Sequence, residues 1–345
     1  MQVPRASKTE GLPTDGTLIQ ASANSPFALA VDPTGRPAGL DKAVYAIGNF
    51  DGVHLGHAAV IARTRSFAEA RGLPSAVLTF EPHPVDYFAG RPVVFRLTPF
   101  AVKARALQAL GLDGVVSLTF DAALAGLTAA EFVEQVLVER LNVGGVIVGW
   151  DFHFGKARSG TPEFLARAGE RHGFEVEIVD KVEAREDGAV VSSSGIRRAL
   201  EQGDVAAAAR GLGRDYRVAG IIRQGQQLGR TLGVPTANIE LEPTNRLAYG
   251  VYAVSAHVAG RRHGGVASYG VRPTVDSGAP LLEVHLFDFA GDIYGREMEV
   301  DFVARLRDEL KFSSLDALKV EMARDIERAR AALIERGFGE SGQIL

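Results

Sequence analysis

The sequence predicts an α/β domain with a mostly parallel sheet, followed by a small, mainly β domain that ends in a helix. Three observations predict it. The 345 residues divide into about two domains of ordinary size. Through the first half, short apolar runs alternate with helical patterns, the signature of βα units. After Arg214 the helical intervals give way to closely spaced strand candidates punctuated by glycine, which suggests a small β-barrel.

In order along the chain, the leader 1–25 is polar and carries no periodic pattern. Strands of the first domain are expected at 27–31, 44–47, 76–80, 115–120, 143–148 and 176–179, with a helical pattern at 58–70. Thr128-Ala129-Ala130-Glu131 reads as a capping box, and Thr161-Pro162 opens a helix that Gly173 closes. The Ala- and Arg-rich stretch 195–213 has helical character with breaks at Gly203 and Gly213, and the domain boundary belongs there. Barrel strands are expected at 216–222, 250–258, 264–269, 281–289 and 298–306. Leu315, Leu318, Met322, Ile326, Ala329 and Leu333 recur at steps of three and four, so an amphipathic helix should pack on the barrel. The resulting spans are 26–197, a helical linker 198–213, a second domain 214–337 and a tail 338–345.

Composition excludes several classes. With 46% apolar and 23% charged residues the chain is an ordinary folded protein. Lys plus Arg number 38 against 42 Asp plus Glu, so there is no basic excess to attract nucleic acid. The absence of cysteine excludes disulfides, a thiolate nucleophile and cysteine-based metal sites, which fits a cytoplasmic location. Residues 1–24 lack the apolar core of a signal peptide and no run approaches ~18 apolar residues, so neither export nor membrane insertion is expected.

The most informative stretch is Gly48-Asn49-Phe50-Asp51-Gly52-Val53-His54-Leu55-Gly56-His57, between an apolar strand and a helical pattern. At such a junction free helix N–H groups and the positive end of the helix dipole favour an anion. Gly48, Gly52 and Gly56 let a nucleotide approach the backbone, and His54 and His57 can both donate to phosphate oxygens. A nucleoside triphosphate is the ligand this implies. The competing reading is a tight turn whose histidines cap a helix. Catalytic zinc would need a third protein ligand at a convincing spacing, and the first half has no Gly-x-x-x-x-Gly-Lys-Ser/Thr.

Here the chain resembles the HxGH nucleotidyltransferases, and within them the adenylyltransferase half of the bacterial bifunctional riboflavin kinase/FAD synthetase family. Thr79-Phe80-Glu81-Pro82-His83-Pro84, Val148-Gly149-Trp150-Asp151-Phe152-His153-Phe154-Gly155 and Ser192-Ser193-Ser194-Gly195-Ile196-Arg197 extend the likeness. It implies a Rossmann-like domain that binds ATP through Gly48, Phe50, Gly52, His54, Gly56 and His57, with Ser193, Ser194 and Arg197 closing over the triphosphate. His54, His57 and Arg197 would be catalytic. FMN phosphate would attack the α-phosphorus with Mg²⁺ present, and no protein nucleophile is needed. Glu81, Asp151, Phe152 and Phe154 fall near the implied flavin site, although Asp151 could equally cap a turn and at least one phenylalanine should fill the core.

In the second half, Gly229-Arg230-Thr231-Leu232-Gly233-Val234-Pro235-Thr236-Ala237-Asn238 joins a glycine-rich turn to two oxygen-bearing residues at i and i+2. On an extended chain these point to one side. A hydroxyl and an amide carbonyl suit Mg²⁺. Downstream, Leu282, Val284 and Leu286 alternate with Glu283 and His285, so Glu283 can line a pocket. This half resembles the riboflavin kinase module, on Gly250-Val251-Tyr252, Gly270-Val271-Arg272-Pro273-Thr274, the run from Phe287 to Gly295 and the run from Arg305 to Phe312. The resemblance implies a barrel in which Gly229 contributes to the ATP site and Thr236 and Asn238 hold Mg–ATP. Glu283 would be the base at the ribityl 5′-hydroxyl, with Arg305 and Glu309 near the flavin. Ser268-Tyr269 stands where the family often has Asn-Ile.

The resemblance thus implies two linked activities, riboflavin to FMN and FMN to FAD, with ATP, riboflavin and FMN as small-molecule partners, Mg²⁺ as cofactor and a homo-oligomer left open. Two alternatives stand beside it: a nucleotidyltransferase for another phosphorylated acceptor, and a catalytically silent flavin-binding C-terminal module.

Overall fold

The computed structural model of the chain describes residues 27–180, 191–225, 233–271 and 280–338. The leader 1–25, Gly229 and Arg272-Pro273-Thr274 lie outside them. The described residues pack as two compact units. One comprises Met1–Asn49, Ala59–Tyr87 and Ala104–Asp180; the other comprises Phe50–Ala58, Phe88–Lys103 and Lys181–Leu345.

The first unit is built on a six-stranded, all-parallel sheet in the order β1-β4-β3-β2-β5-β6. Its strands are β1 (Ala28–Val31), β2 (Val44–Ile47), β3 (Ser75–Glu81), β4 (Gly114–Thr119), β5 (Gly145–Gly149) and β6 (Glu175–Val179). The helices are α1 (Leu55–Glu69), α2 (Pro84–Ala89), α3 (Phe100–Ala109), α4 (Ala122–Gly126), α5 (Ala129–Glu131) and α6 (Pro162–His172). β2 is buried throughout because helices cover both faces of a parallel sheet. Tyr45 and Ile47 join Phe132, Val136 and Leu165 in one core, while Val44 meets Phe67 and Ala68 of α1 in another. The Thr128 capping box starts α5, which runs on as a wider helix with i→i+5 bonding over Phe132–Arg140. Thr161 caps α6, and Gly173 ends it in the left-handed region, as the sequence signals require.

The second unit holds a closed antiparallel barrel in the order β10-β11-β8-β7-β12-β9. Its strands are β7 (Tyr216–Arg223), β8 (Ala237–Glu240), β9 (Gly250–Val258), β10 (Arg261–Val271), β11 (Pro280–Leu286) and β12 (Glu297–Arg307). β8 is an addition to the expected strands: only four residues long, it follows a turn-like Pro-Thr and is too short to show alternation. Before the barrel come α7 (Ser193–Glu201) and α8 (Val205–Leu212), broken at Gly203 and closed at Gly213. The barrel core contains Tyr216, Tyr252, Leu282, Val284 and Phe302, and Phe95, Leu97, Leu200 and Leu212 belong to the same cluster. α9 (Leu315–Glu335) buries Ala329 and Leu333 against Val251, Phe287 and Val303 on the barrel's outside. The expected apolar stripe packs only along its later turns, since Leu315 is 60% exposed.

Candidate active sites

In the first unit, β2 lies between β3 and β5, where the order of strands reverses, the position at which open parallel sheets bind ligands. Three predicted residues stand at the carboxyl ends of these neighbours: Gly48 after β2, Glu81 closing β3 and Asp151 after β5. Glu81 is half-buried and Asp151 is exposed. Phe154 is buried against Phe132 and Phe164, so it fills the core, and Phe152 stacks on it with centroids 5.4 Å apart.

The rest of the motif belongs to the second unit and forms a tight loop before α1. Phe50 (φ 48°) and Val53 (φ 42°) both sit in the left-handed region, a strain of about 1–3 kcal/mol each that surrounding contacts must offset. Those contacts converge on Asp51, whose carboxylate accepts the backbone N–H groups of Leu97 (3.0 Å) and Thr98 (3.0 Å) and the guanidinium of Arg197 (2.6 Å). Arg197 also donates to the Phe95 carbonyl at 2.7 Å. The Gly52 N–H donates to Thr98 Oγ1 at 3.0 Å, and Ser193 Oγ donates to the Asp51 carbonyl at 2.9 Å. Burial pulls the Asp51 carboxyl upward, but Arg197, the two backbone donors and Arg96 outweigh it and hold it below the usual range.

α1 begins at Leu55, three residues before the expected 58, because His54 caps it: Nδ1 of His54 accepts the His57 N–H at 3.2 Å. The capping reading of one histidine is therefore realised, alongside a geometry suited to an anion. The two imidazoles stack 3.6 Å apart at 13°, and Phe50 tilts against His57. A Cβ on Gly56 would lie 3.1 Å from the His54 ring, so any side chain there would press on the stacked pair. Burial drives His54 down to about 4, opposed by Asp51 and reinforced by Arg214 and Arg197. Burial, His54, Lys103 and Arg214 push His57 well below its ordinary value too, so both rings are neutral at pH 7. Nδ1 of His57 is buried without a hydrogen-bond partner. Ser192 caps α7, placing Ser193 and the exposed Ser194 in its first turn, and the Gly56 Cβ position lies 3.7 Å from the Val191 carbonyl just ahead of that cap. The starts of α1 and α7 adjoin, so two positive dipole ends meet beside the histidine pair.

In the barrel, register sets the second constellation. Ser268 of β10 pairs with Glu283 of β11, and Glu283 pairs with Asn238 of β8. Directly paired residues share a face, so the three side chains form one row. The neighbouring row, Tyr269, Leu282 and Ile239, is buried in the core. Glu283 and His285 are half-buried while Leu282, Val284 and Leu286 are buried, which matches the expected alternation. Asn238 is buried, and a Cβ on Gly225 would collide with its amide, so the chain passes close over it. Nδ1 of His285 lies 2.8 Å from the Pro235 carbonyl and fixes the segment leading into Thr236. Arg305 donates to the Tyr249 carbonyl at 2.8 Å and pairs with Asp308 at 2.6 Å. The Glu309 carboxyl rests where a side chain on Gly270 would be, and burial, opposed by Arg307, raises its pKa.

Sequence reasoning did not single out Asp51, Lys103 or Arg214. Asp51 was visible inside the motif, but its partners lie 46 and 146 residues away. Lys103, 1% exposed, and Arg214 carry no local signal.

Comparisons with known proteins agree with this two-part arrangement. A family model for FAD synthetase matches residues 37–195 and one for riboflavin kinase matches 212–333. A bifunctional riboflavin kinase/FMN adenylyltransferase of Pseudomonas fluorescens is 47% identical over 84% of this chain and 92% of its own length. Proteins of the same description from Haemophilus influenzae and Escherichia coli are 43% and 41% identical, over 85% and 83% of this chain and 94% and 91% of theirs. Among solved structures, a Streptococcus pneumoniae protein described as a macrolide-efflux protein has a TM-score of 0.77 and 31% identity, over 88% of this chain and 99% of that one. Matched in both halves and similar to these relatives over nearly their full length, the chain belongs to the bifunctional riboflavin kinase/FMN adenylyltransferase family.

Proposed function

We propose that the two reactions of this enzyme run at the two constellations just described, the histidine loop adenylylating FMN and the barrel row phosphorylating riboflavin. The observation that carries the first assignment is the stacked histidine pair at the start of α1, with Nδ1 of His57 buried and unpartnered. In the tautomer that carries the proton on Nδ1, a phosphate oxygen is a fitting acceptor. An FMN phosphate oxygen attacks the α-phosphorus of ATP, the bond to the β-phosphate oxygen breaks, and pyrophosphate leaves. His54 and His57 orient the phosphates, and the two helix starts offset the charge that builds on the leaving group. Because Arg197 is held by Asp51 and the Phe95 carbonyl, its role here is a fixed positive wall, with Ser193 and Ser194 beside it. Glu81, Asp151 and Phe152 are the flavin-side candidates.

In the barrel, the riboflavin 5′-hydroxyl attacks the γ-phosphorus and ADP leaves, with Glu283 taking the hydroxyl proton. Thr236 and Asn238 offer a hydroxyl and an amide oxygen, hard donors that fit Mg²⁺, and the close passage of Gly225 over Asn238 supports a preset position for that amide. The ion would supply charge neutralisation on the phosphate oxygens. Arg305 and Glu309 border the flavin. The assignment takes 26–197 and 214–337 as the two catalytic spans joined by the helices between them. The lack of cysteine favours a cytoplasmic location. Among the described residues no helix is long and apolar enough to cross a membrane.

The test is a time course with riboflavin, ATP and Mg²⁺ in which the flavins are separated. The parent should give FMN and then FAD. His57→Ala should accumulate FMN and form no FAD, and Glu283→Ala should form no FMN yet convert supplied FMN to FAD. Loss of both activities in either folded variant would refute the assignment of separate sites.

A further inference from the structure

The phosphate loop is held in part by a residue from the riboflavin-kinase-matched segment. Arg214 follows α8 and lies within the span 212–333. Its Nη2 donates to the Gly52 carbonyl at 2.7 Å, and its Nη1 donates to the Val53 carbonyl at 2.9 Å and to the Leu212 carbonyl at 3.3 Å. Gly52 and Val53 are where the loop adopts positive φ, immediately before His54. A left-handed Val is costly and persists only when neighbours fix it, and a planar two-armed donor on consecutive carbonyls is suited to fixing it. The preceding residue strengthens the case. Gly213 (φ 72°) ends α8, and a Cβ there would lie 2.6 Å from Leu55 Cδ2, so the end of α8 abuts the first residue of α1. Two residues after Arg214, Tyr216 begins β7 and meets Phe95 edge-on at 6.3 Å, and the Phe95 carbonyl holds Arg197.

We infer that Arg214 is a positioning residue for adenylyl transfer: the chain segment that opens the kinase barrel sets the geometry of the loop that binds ATP for the other reaction. The inference rests on the assignment of that reaction to His54 and His57. Among the described residues the hydrogen bonds of Arg214 go to Gly52, Val53 and Leu212, so its loss should separate the two activities. Displacing reacting groups by about 1 Å costs on the order of 100-fold. The charge of Arg214 also faces the histidine pair together with Arg197 from α7, Lys103 from α3 and Asp51 from the loop itself.

Full-length Arg214→Met and Arg214→Lys are assayed separately for riboflavin to FMN and for FMN to FAD, beside His57→Ala. Arg214→Met should keep FMN formation within about twofold while FAD formation falls ~10- to 100-fold, mainly in kcat if the histidines are misplaced. Arg214→Lys keeps the charge but cannot bridge both carbonyls, and should recover only part of the loss. In Arg214→Met the acid limb of FAD formation should also move to higher pH, because a positive neighbour of the rings is gone. Should Arg214→Met lose both activities through misfolding, Arg214→Lys decides: FMN formation kept with FAD formation depressed supports the inference, and parallel loss overturns it. Unchanged FAD formation in Arg214→Met overturns it too. If His57→Ala retains FAD formation, the parent assignment fails instead.

Discussion

At the scale of single residues, Asp51 organises more of the histidine loop than either histidine does. It is almost fully buried and ionised, and its charge is balanced by Arg197, itself largely buried. Removing one partner of such a pair leaves the other charge in a poor solvent, at about 3–5 kcal/mol. Asp51→Ala should therefore destabilise the unit containing it by that order, read as a lower urea midpoint, and abolish FAD formation. An unchanged midpoint would show that Arg197 finds another partner at no cost. This importance was hidden in the sequence. The aspartate was legible as part of a motif, but the backbone donors of Leu97 and Thr98 come from a stretch with no signature, and burial depends on the tertiary fold. Phe154 teaches a similar lesson: its motif pointed toward a flavin, and its packing among Phe132 and Phe164 makes it a core residue. Glu283 was more accessible to sequence reasoning, because the two-residue period of a strand fixes its face without knowledge of any partner.

At the scale of elements, local chemistry decided what could be read. The capping box at Thr128, the Thr161-Pro162 opening and the glycines after α7 and α8 all act within a few residues, and each recurs in the structure. α1 begins earlier than its apolar pattern because an imidazole, rather than a more usual Ser or Asp, caps it. α9 shows the converse error, since periodicity marks a face without saying how far the partner surface extends. Leu333 is buried against the barrel and Leu315 is not. The helix is further tied by Asp325, whose carboxylate accepts from Nε and Nη2 of Arg307 at 3.0 and 2.6 Å. Leu333→Ala should therefore cost about 2–4 kcal/mol, while Leu315→Ala should stay within about 0.5 kcal/mol. Comparing urea midpoints of the two variants checks it, and equal losses would mean that the first turns of α9 are packed as well.

For the molecule as a whole, the groups proposed to bind phosphate also set its response to acid. Unfolded, His54 takes up a proton near its ordinary 6.5, whereas in the fold burial delays protonation to about 4. At pH 7 the folded ring is neutral and the unfolded one mainly so, and the pH effect is small. As pH falls below 6.5 the unfolded chain binds the proton first, so whichever unfolding step exposes the loop becomes easier. Between pH 7 and 5 this amounts to about 2 kcal/mol for His54 alone. His57 is also lowered well below its ordinary value and acts in the same direction, while Asp51 adds a loss only at lower pH, below the usual carboxylate range. Urea titrations at pH 7 and pH 5 should thus show the midpoint falling with acid, with a shallower fall in His54→Gln, whose amide oxygen can still accept the His57 N–H while no longer titrating. An equally steep fall in His54→Gln would mean that this ring does not set the acid response.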